Sequence, residues 1–270
     1  MADLTTLLND LAFKNAKVTE GITLAEGLAA LGALSARGEM VRVPEDYTLK
    51  EAVERVHGDD SLTTIVVGKG EHKINGKYLE ISSAMHIVGD PTVPRADIVI
   101  KGGIRIKEGI QGNCHLQHLT VRQAKKIGVW GQSSFTMEDV LVEKSTNSGV
   151  MCSVPGTVAI CTNIEVHQCE WSGVVAGNGT SIILIGPKTM VHGNSKSINT
   201  YGLEVHADYS TIQLVSPLTK EKVSIDNGGY NWGAKYSGNI NQIKTITKAE
   251  LAELAAVSAA SRNVSRPLRF

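Results

Sequence analysis

Large rings are scarce in this chain. Aromatic residues make up 4% of its 270 positions, and Phe occurs three times. That shortage disfavours a globular core built on stacked rings. A surplus of charge is missing too, because 27 basic residues meet 27 acidic ones. Nucleic-acid binders usually carry a basic excess that displaces phosphate counterions, so the overall balance argues against such a partner. No run of about 20 apolar residues occurs, which excludes a helical membrane span. The first residues, MADLTTLLNDLAFKN, have no basic n-region and no apolar h-region of a secretory signal. The expected location is therefore intracellular, in the cytoplasm. The four cysteines, Cys114, Cys152, Cys161 and Cys169, form no CxxC pair. They are expected as reduced thiols packed inward like small hydrophobes. Their spacing from His115 and His118 does not match a structural zinc site, so no metal or cofactor is implied.

What is present is glycine, at 27 residues, and a hydrophobic content of 42% with 20% charge. That composition supports a packed core and argues against disorder. Residues 1–40 read as a helical segment, with Leu4, Leu7, Leu8 and Leu11 at helical spacing and an Ala/Leu-rich run from Leu24 to Ala36. A short strand at Val41–Pro44 follows. Then comes a helix with Thr48 as N-cap and Glu51 completing a capping box. From Ser61 the pattern changes to short β-rich runs separated by turn residues. No helix-length amphipathic stretch returns until about residue 247, where a C-terminal helix and a basic tail to residue 270 are expected.

The chain repeats itself. The steps IGVWG, SGVMC, SGVVA, YGLEV and WGAKY place glycines at 128, 149, 173, 202 and 233, at intervals of 21, 24, 29 and 31. A second motif, LTVRQ, VLVEK, IEVHQ and TMVHG, recurs in phase, and a third, CHLQH, FTMED and AICTN, precedes it. Three short strands in about 21 residues or more is the period of a parallel β-helix, in which no coil buries its apolar face alone. The expected fold is all-β: a single-stranded right-handed parallel β-helix over 41–246, with helical segments at both ends. Alternation then puts Val121, Val142, Val166 and Val191 in one inward stack. A second inward stack is Val129, Val150, Val174, Leu203 and Ala234. Outward columns are Arg122, Glu143, His167, His192 and Trp130, Met151, Val175, Glu204, Lys235. Open solenoid ends expose unpaired strand edges, so the terminal helices are read first as caps and second as a route to a homo-oligomer.

These features resemble the pectin-lyase-like right-handed β-helix superfamily. The resemblance rests on VPEDYTLKEAVERV, on the turn Gly76-Lys77-Tyr78-Leu79-Glu80, and on the step Ile87-Val88-Gly89-Asp90, and covers roughly Val41 to Ile246. The middle coils look like carbohydrate-binding and sugar-hydrolase repeats, and the whole pattern resembles β-helix proteins of unicellular algae and protists that have no assigned activity. The catalytic motifs of the enzymatic members are mostly missing. Only Arg105-Ile106-Lys107 matches a polygalacturonase element, without its partners, and no aspartate cluster of the pectate-lyase kind is present.

Three groups of residues carry candidate chemistry. Glu143, His167 and His192 form an outward ladder. Glu143 and Glu165 fall about 8 Å apart by strand geometry, in the range of an inverting carboxylate pair. Glu204, His206 and Asp208 alternate, so all three are expected on one face of a strand, and they are the weak catalytic candidates. Beside them two long loops, 186–200 and 216–233, are expected to mark a binding face. The second loop offers Lys220, Lys222, Asp226, Asn227, Tyr230 and Trp232 as ligand-binding residues. The favoured expectation is a non-catalytic binding or scaffolding protein with a glycan or protein ligand. The alternative is a polysaccharide lyase or glycoside hydrolase working at the C-terminal coils.

Overall fold

The structure, a computed structural model, describes residues 40–254. The helices expected within residues 1–40 lie outside the described residues. From Met40 onward the chain is a parallel β-helix. Each coil contributes up to three short strands, and each strand pairs in parallel with its counterpart one coil later.

The first sheet stacks Met40–Val43, Thr64–Val67, Met85–Gly89 and the first halves of Cys114–Arg122 and Phe135–Glu143. It continues through Val158–Thr162, Ser181–Ile185, Thr211–Val215 and Ile243–Ile246. The second sheet begins with the first parts of Gly70–Ile81 and Ile98–Ile106 and takes the second halves of Cys114–Arg122 and Phe135–Glu143. Glu165–His167, Met190–His192 and Ser224–Ile225 complete it. The third sheet holds the remaining parts of Gly70–Ile81 and Ile98–Ile106, then Val129–Gly131, Val150–Cys152, Val174–Ala176, Tyr201–His206 and Tyr230–Lys235.

The core is a set of apolar columns. Val121, Val142, Val166 and Val191 are in register and fully buried, with Ile100 before them. Each methyl-bearing rung meets its own kind one coil away, and removing such surface from water stabilises by about 25 cal/mol per Å². The cysteines follow the same logic. Cys114 stacks between Met85 and Phe135, and Cys161 between Met137 and Leu184. All four are free and buried, and burial pushes the Cys114 and Cys169 thiols up to about 11. They pack as apolar groups. Cys114 points inward while its neighbour His115 bonds Thr136 at 2.6 Å.

The glycine column is right up to its last member. An added Cβ at Gly128, Gly149, Gly173 or Gly202 would lie 2.6, 2.8, 2.8 and 2.7 Å from the carbonyl oxygen of Gly149, Gly173, Gly202 and Asn231. The next position in the column is thus Asn231, and the last interval is 29 residues. Gly233 instead pairs with Glu204, and Trp232, not Ala234, stands opposite Leu203. Lys235 accordingly pairs with His206 and not with Glu204. The glycines serve close approach of successive coils. The left-handed corners belong mostly to other residues: Gln123, Lys144, Gln168, Gly193 and Asp226 end successive second-sheet strands with φ between 51° and 60°.

The N-terminal end of the coil is capped by helix α1 (Leu49–Gly58), which buries Leu49, Ala52, Val53 and Val56. Its capping box is present as expected: the Thr48 hydroxyl accepts the Glu51 amide, and the Glu51 carboxylate accepts the Thr48 amide at 2.9 Å. The C-terminal helix is described over 248–254 and packs there on the side of the coil. Its Leu251 packs on an outward apolar patch of the first sheet made by Ile160, Ile183, Ile185, Val215 and Ile246. Among the described residues no helix is long and apolar enough to cross a membrane.

Candidate functional site

Glu204 lies on the outer face of the third sheet yet is 1% exposed. One carboxylate oxygen accepts from His206 Nε2 and from Lys235 Nζ, the latter at 3.0 Å. The other accepts from the Ser172 hydroxyl. Burial pushes the Glu204 carboxyl up, but hydrogen bonds from His206, Ser172 and Lys235 outweigh it and hold the group below the ordinary carboxylate range. The group is ionised, held by a donor on each oxygen and shut away from water. It cannot give or take a proton from an outside molecule without first losing these partners.

Nor is Ser172 placed as a nucleophile. Its hydroxyl proton goes to Glu204, and its oxygen accepts the Tyr201 amide at 3.0 Å. A serine nucleophile must also reach its substrate, and Ser172 is buried with its proton held by an equally buried carboxylate. Asp208 is not part of the group. The strand ends at His206, Ala207 turns the chain with φ 63°, and Asp208 emerges exposed with its amide donating to Ser237. Alternation therefore unites Glu204 with His206 and stops there.

The partners of Glu204 in turn orient aromatic rings. Lys235 Nζ lies 5.8 Å from the Tyr201 ring centroid, and the Tyr201 and Tyr230 rings stack at 5.8 Å with 28° between planes. His206 meets Tyr236 edge-on at 5.2 Å. Gly233 lets Tyr201 lie across its rung, since a Cβ there would overlap the ring. Tyr230, Tyr236 and Tyr209 are 60%, 85% and 89% exposed, and Trp171, beside Ser172, is 50% exposed. Every large hydrophobic residue left exposed among the described residues lies at position 171 or later.

The loop residues separate into different roles. Each long loop carries a second-sheet rung, Met190–His192 or Ser224–Ile225, so the added length leaves the coil at corners on both sides of that sheet. Asn227 is a structural rung. Its side-chain oxygen accepts the Asn194 amide at 3.1 Å, and its Nδ2 donates to Val191 and Ile225 carbonyls. Asn194 repeats the arrangement one coil earlier, accepting from Cys169 and donating to Val166. Trp232 packs on the core end, with Lys220 Nζ 5.3 Å from its ring centroid. Lys222 and Asp226 are exposed, the latter at a left-handed corner. Only Tyr230 of that set joins the aromatic surface.

A second ionic network covers the outer second sheet. Arg122 pairs with Glu143, and His167 Nε2 stands 3.6 Å from Glu143 and 4.0 Å from Glu165. Glu165 also meets His192 at 3.3 Å and Arg95 at 2.7 Å, and Arg95 bonds Asp139 at 2.9 Å. The two glutamates read as an inverting pair are therefore spanned by His167 and neutralised by arginines. The His167 and His192 rings stack at 5.1 Å. Among the described residues no group of three or more His, Cys, Asp or Glu is arranged to hold a metal ion.

Several members of these sites were missed in the sequence: Ser172, Tyr201, Tyr236 and Arg95, whereas the outward column that set Lys235 next to Glu204 is matched by their side-chain contact. The signal available was aromatic crowding. Four of the six tyrosines fall between 201 and 236.

No family model matches the chain, and no curated protein or solved structure matches it. The fold and the site together define an all-β parallel solenoid with an aromatic surface on its last coils.

Proposed function

We propose that this chain is a non-catalytic carbohydrate-binding β-helix of the pectin-lyase-like type, and that it takes its ligand on the outer face of the third sheet around Tyr201, Tyr230 and Tyr236. One observation carries the reading: the exposed rings gather on the last coils, held in place from beneath by Glu204 through Lys235 and His206. Exposed tyrosine planes flanked by polar groups suit a sugar, whose ring offers an apolar C–H face and a hydroxyl rim. Rings fixed in advance lose little entropy on binding. The lyase or hydrolase alternative needs an accessible acid or base, and the carboxylate at the centre of this surface has no free oxygen.

The test is a glycan array on the full chain, followed by calorimetry with the best oligosaccharide. Tyr230→Ala and Tyr236→Ala should each weaken binding by about tenfold, equivalent to about 1.4 kcal/mol, with the thermal midpoint unchanged. An array without hits, or full affinity in both variants, overturns the proposal. So does polysaccharide turnover that Glu204→Gln abolishes.

A further inference from the structure

The chain's zero net charge hides a local separation of charge. Lys73, Lys101 and Arg122 occupy one outward column on consecutive rungs of the second sheet, about 4.8 Å apart along the axis. Round the adjoining corner stand Lys125 and Lys126, both exposed, and exposed Lys77 lies beside Tyr78. The Tyr78 hydroxyl accepts the Ile127 amide at 3.3 Å, which brings the Lys77 and Lys126 segments together. Against these six cations stand Glu71 at 3.3 Å from Lys101, Glu143 paired with Arg122 and Glu80 at 3.7 Å from Arg105 on the adjoining sheet, and Glu51 and Glu54 share a cavity with Lys73. Lys73, Lys77, Lys125 and Lys126 make no ion pair with a described residue. Beyond the corner the third sheet presents planar groups. Tyr78 and Trp130 lie 5.7 Å apart, and the Arg105 guanidinium sits 4.5 Å over the Trp130 ring.

We propose that this corner of the early coils binds single-stranded nucleic acid, with the lysine row on the phosphates and the Tyr78–Trp130–Arg105 group against the bases. A cationic track beside stacking planes is the physical requirement for such binding, each stacked base contributing about 1–3 kcal/mol. The shape selects the partner. The cations fall on two faces that meet at a corner, so a flat membrane would meet only one face at a time. The row is straight along the axis, whereas a duplex backbone spirals away from it. A flexible single strand can follow the row and turn its bases over the corner. This site is several coils from the aromatic surface proposed for carbohydrate, and it stands independently of that reading.

Fluorescence anisotropy with a labelled oligothymidylate of about 20 nucleotides, and with the matching oligouridylate, tests the proposal on the full chain. Binding should weaken linearly with log salt. The triple variant Lys73→Ala/Lys125→Ala/Lys126→Ala should lose about tenfold in affinity at about 50 mM salt, and its salt slope should fall by about 2. These side chains are exposed, so its thermal midpoint should match the parent. Inorganic polyphosphate and polygalacturonate should compete poorly at equal charge, because neither has bases to stack. Absence of binding, an unchanged triple variant, or equal competition by either base-free polyanion overturns the proposal. The triple variant should keep full carbohydrate affinity, so the two readings fail separately.

Discussion

Glu204 and Lys235 meet at 3.0 Å on the outside of a solenoid, yet the carboxylate is 1% exposed. Such a pair is costly to break from one side, because the remaining charge loses its partner. Lys235 and His206 each keep a partial path to solvent, with side chains 25% and 20% exposed. Glu204→Ala should therefore cost about 3 kcal/mol, at the lower end for a broken buried pair. Glu204→Gln keeps the shape and the Ser172 bond and should cost about 1–2 kcal/mol. Urea unfolding monitored by circular dichroism measures both, and a Glu204→Ala variant as stable as the parent would refute the buried-anchor role.

Asn227 separates structure from recognition. Its side chain serves the Asn194 amide and two carbonyls inside the turn. Asn227→Ala leaves these groups without partners, a loss of about 2 kcal/mol in unfolding free energy. Carbohydrate affinity measured at a temperature where the variant is folded should be unchanged, whereas Tyr230→Ala should show the converse. A variant with full stability and weakened binding would return Asn227 to the ligand surface.

Why the coil was legible and the site only partly so follows from how each is encoded. The inward columns are one-dimensional: Val121, Val142, Val166 and Val191 recur in the same motif at nearly constant spacing, and each rung needs only its neighbour. The register slipped at the last step, where WGAKY resembles the earlier glycine steps but Asn231 holds the column. There the glycine makes room for the Tyr201 ring instead of a neighbouring coil. Site chemistry depends on lateral neighbours that no period announces. Ser172 reaches Glu204 from 32 residues away, and Arg95 reaches Glu165 from 70. Alternation correctly joined Glu204 to His206 but could not foresee the left-handed turn at Ala207 that carries Asp208 away. The lysine row leaves no mark on a whole-chain charge balance, which averages over the coils that gather it.

Two histidines should pull stability in opposite directions with pH. The hydrogen bond to Asp139 holds the His118 pKa above its ordinary value of 6.5 despite burial. Its stabilisation is fully present below that value and is lost as pH rises through the folded pKa, because the native state holds the proton longer. Burial instead depresses His167, against the pull of Glu143 and Glu165. As pH falls below 6.5 the unfolded chain takes up that proton first, so stability declines on the acid side. Thermal midpoints from about pH 5 to pH 8 should lose the alkaline decline in His118→Asn and the acid-side decline in His167→Asn. Parallel profiles for parent and both variants would show that neither coupling exists.

Gly149 tests whether the glycine ladder exists for close packing or for backbone conformation. It has no left-handed φ, but a Cβ there would meet the Gly173 carbonyl oxygen at 2.8 Å and overlap the Val166 side chain. The obstruction is partly backbone and is shared by successive coils, so relief requires the coil spacing itself to open. Gly149→Ala should cost about 3 kcal/mol, the upper part of the usual range for overpacking. Gly156 is the contrast, with φ 79° and open space where a Cβ would go. Gly156→Ala meets only backbone strain and should cost about 1 kcal/mol. Denaturant midpoints at equal m-values decide between the two accounts. If Gly149→Ala were the milder substitution, the ladder would have to be a conformational requirement, and the close approach of the carbonyls would not be what holds successive coils in register.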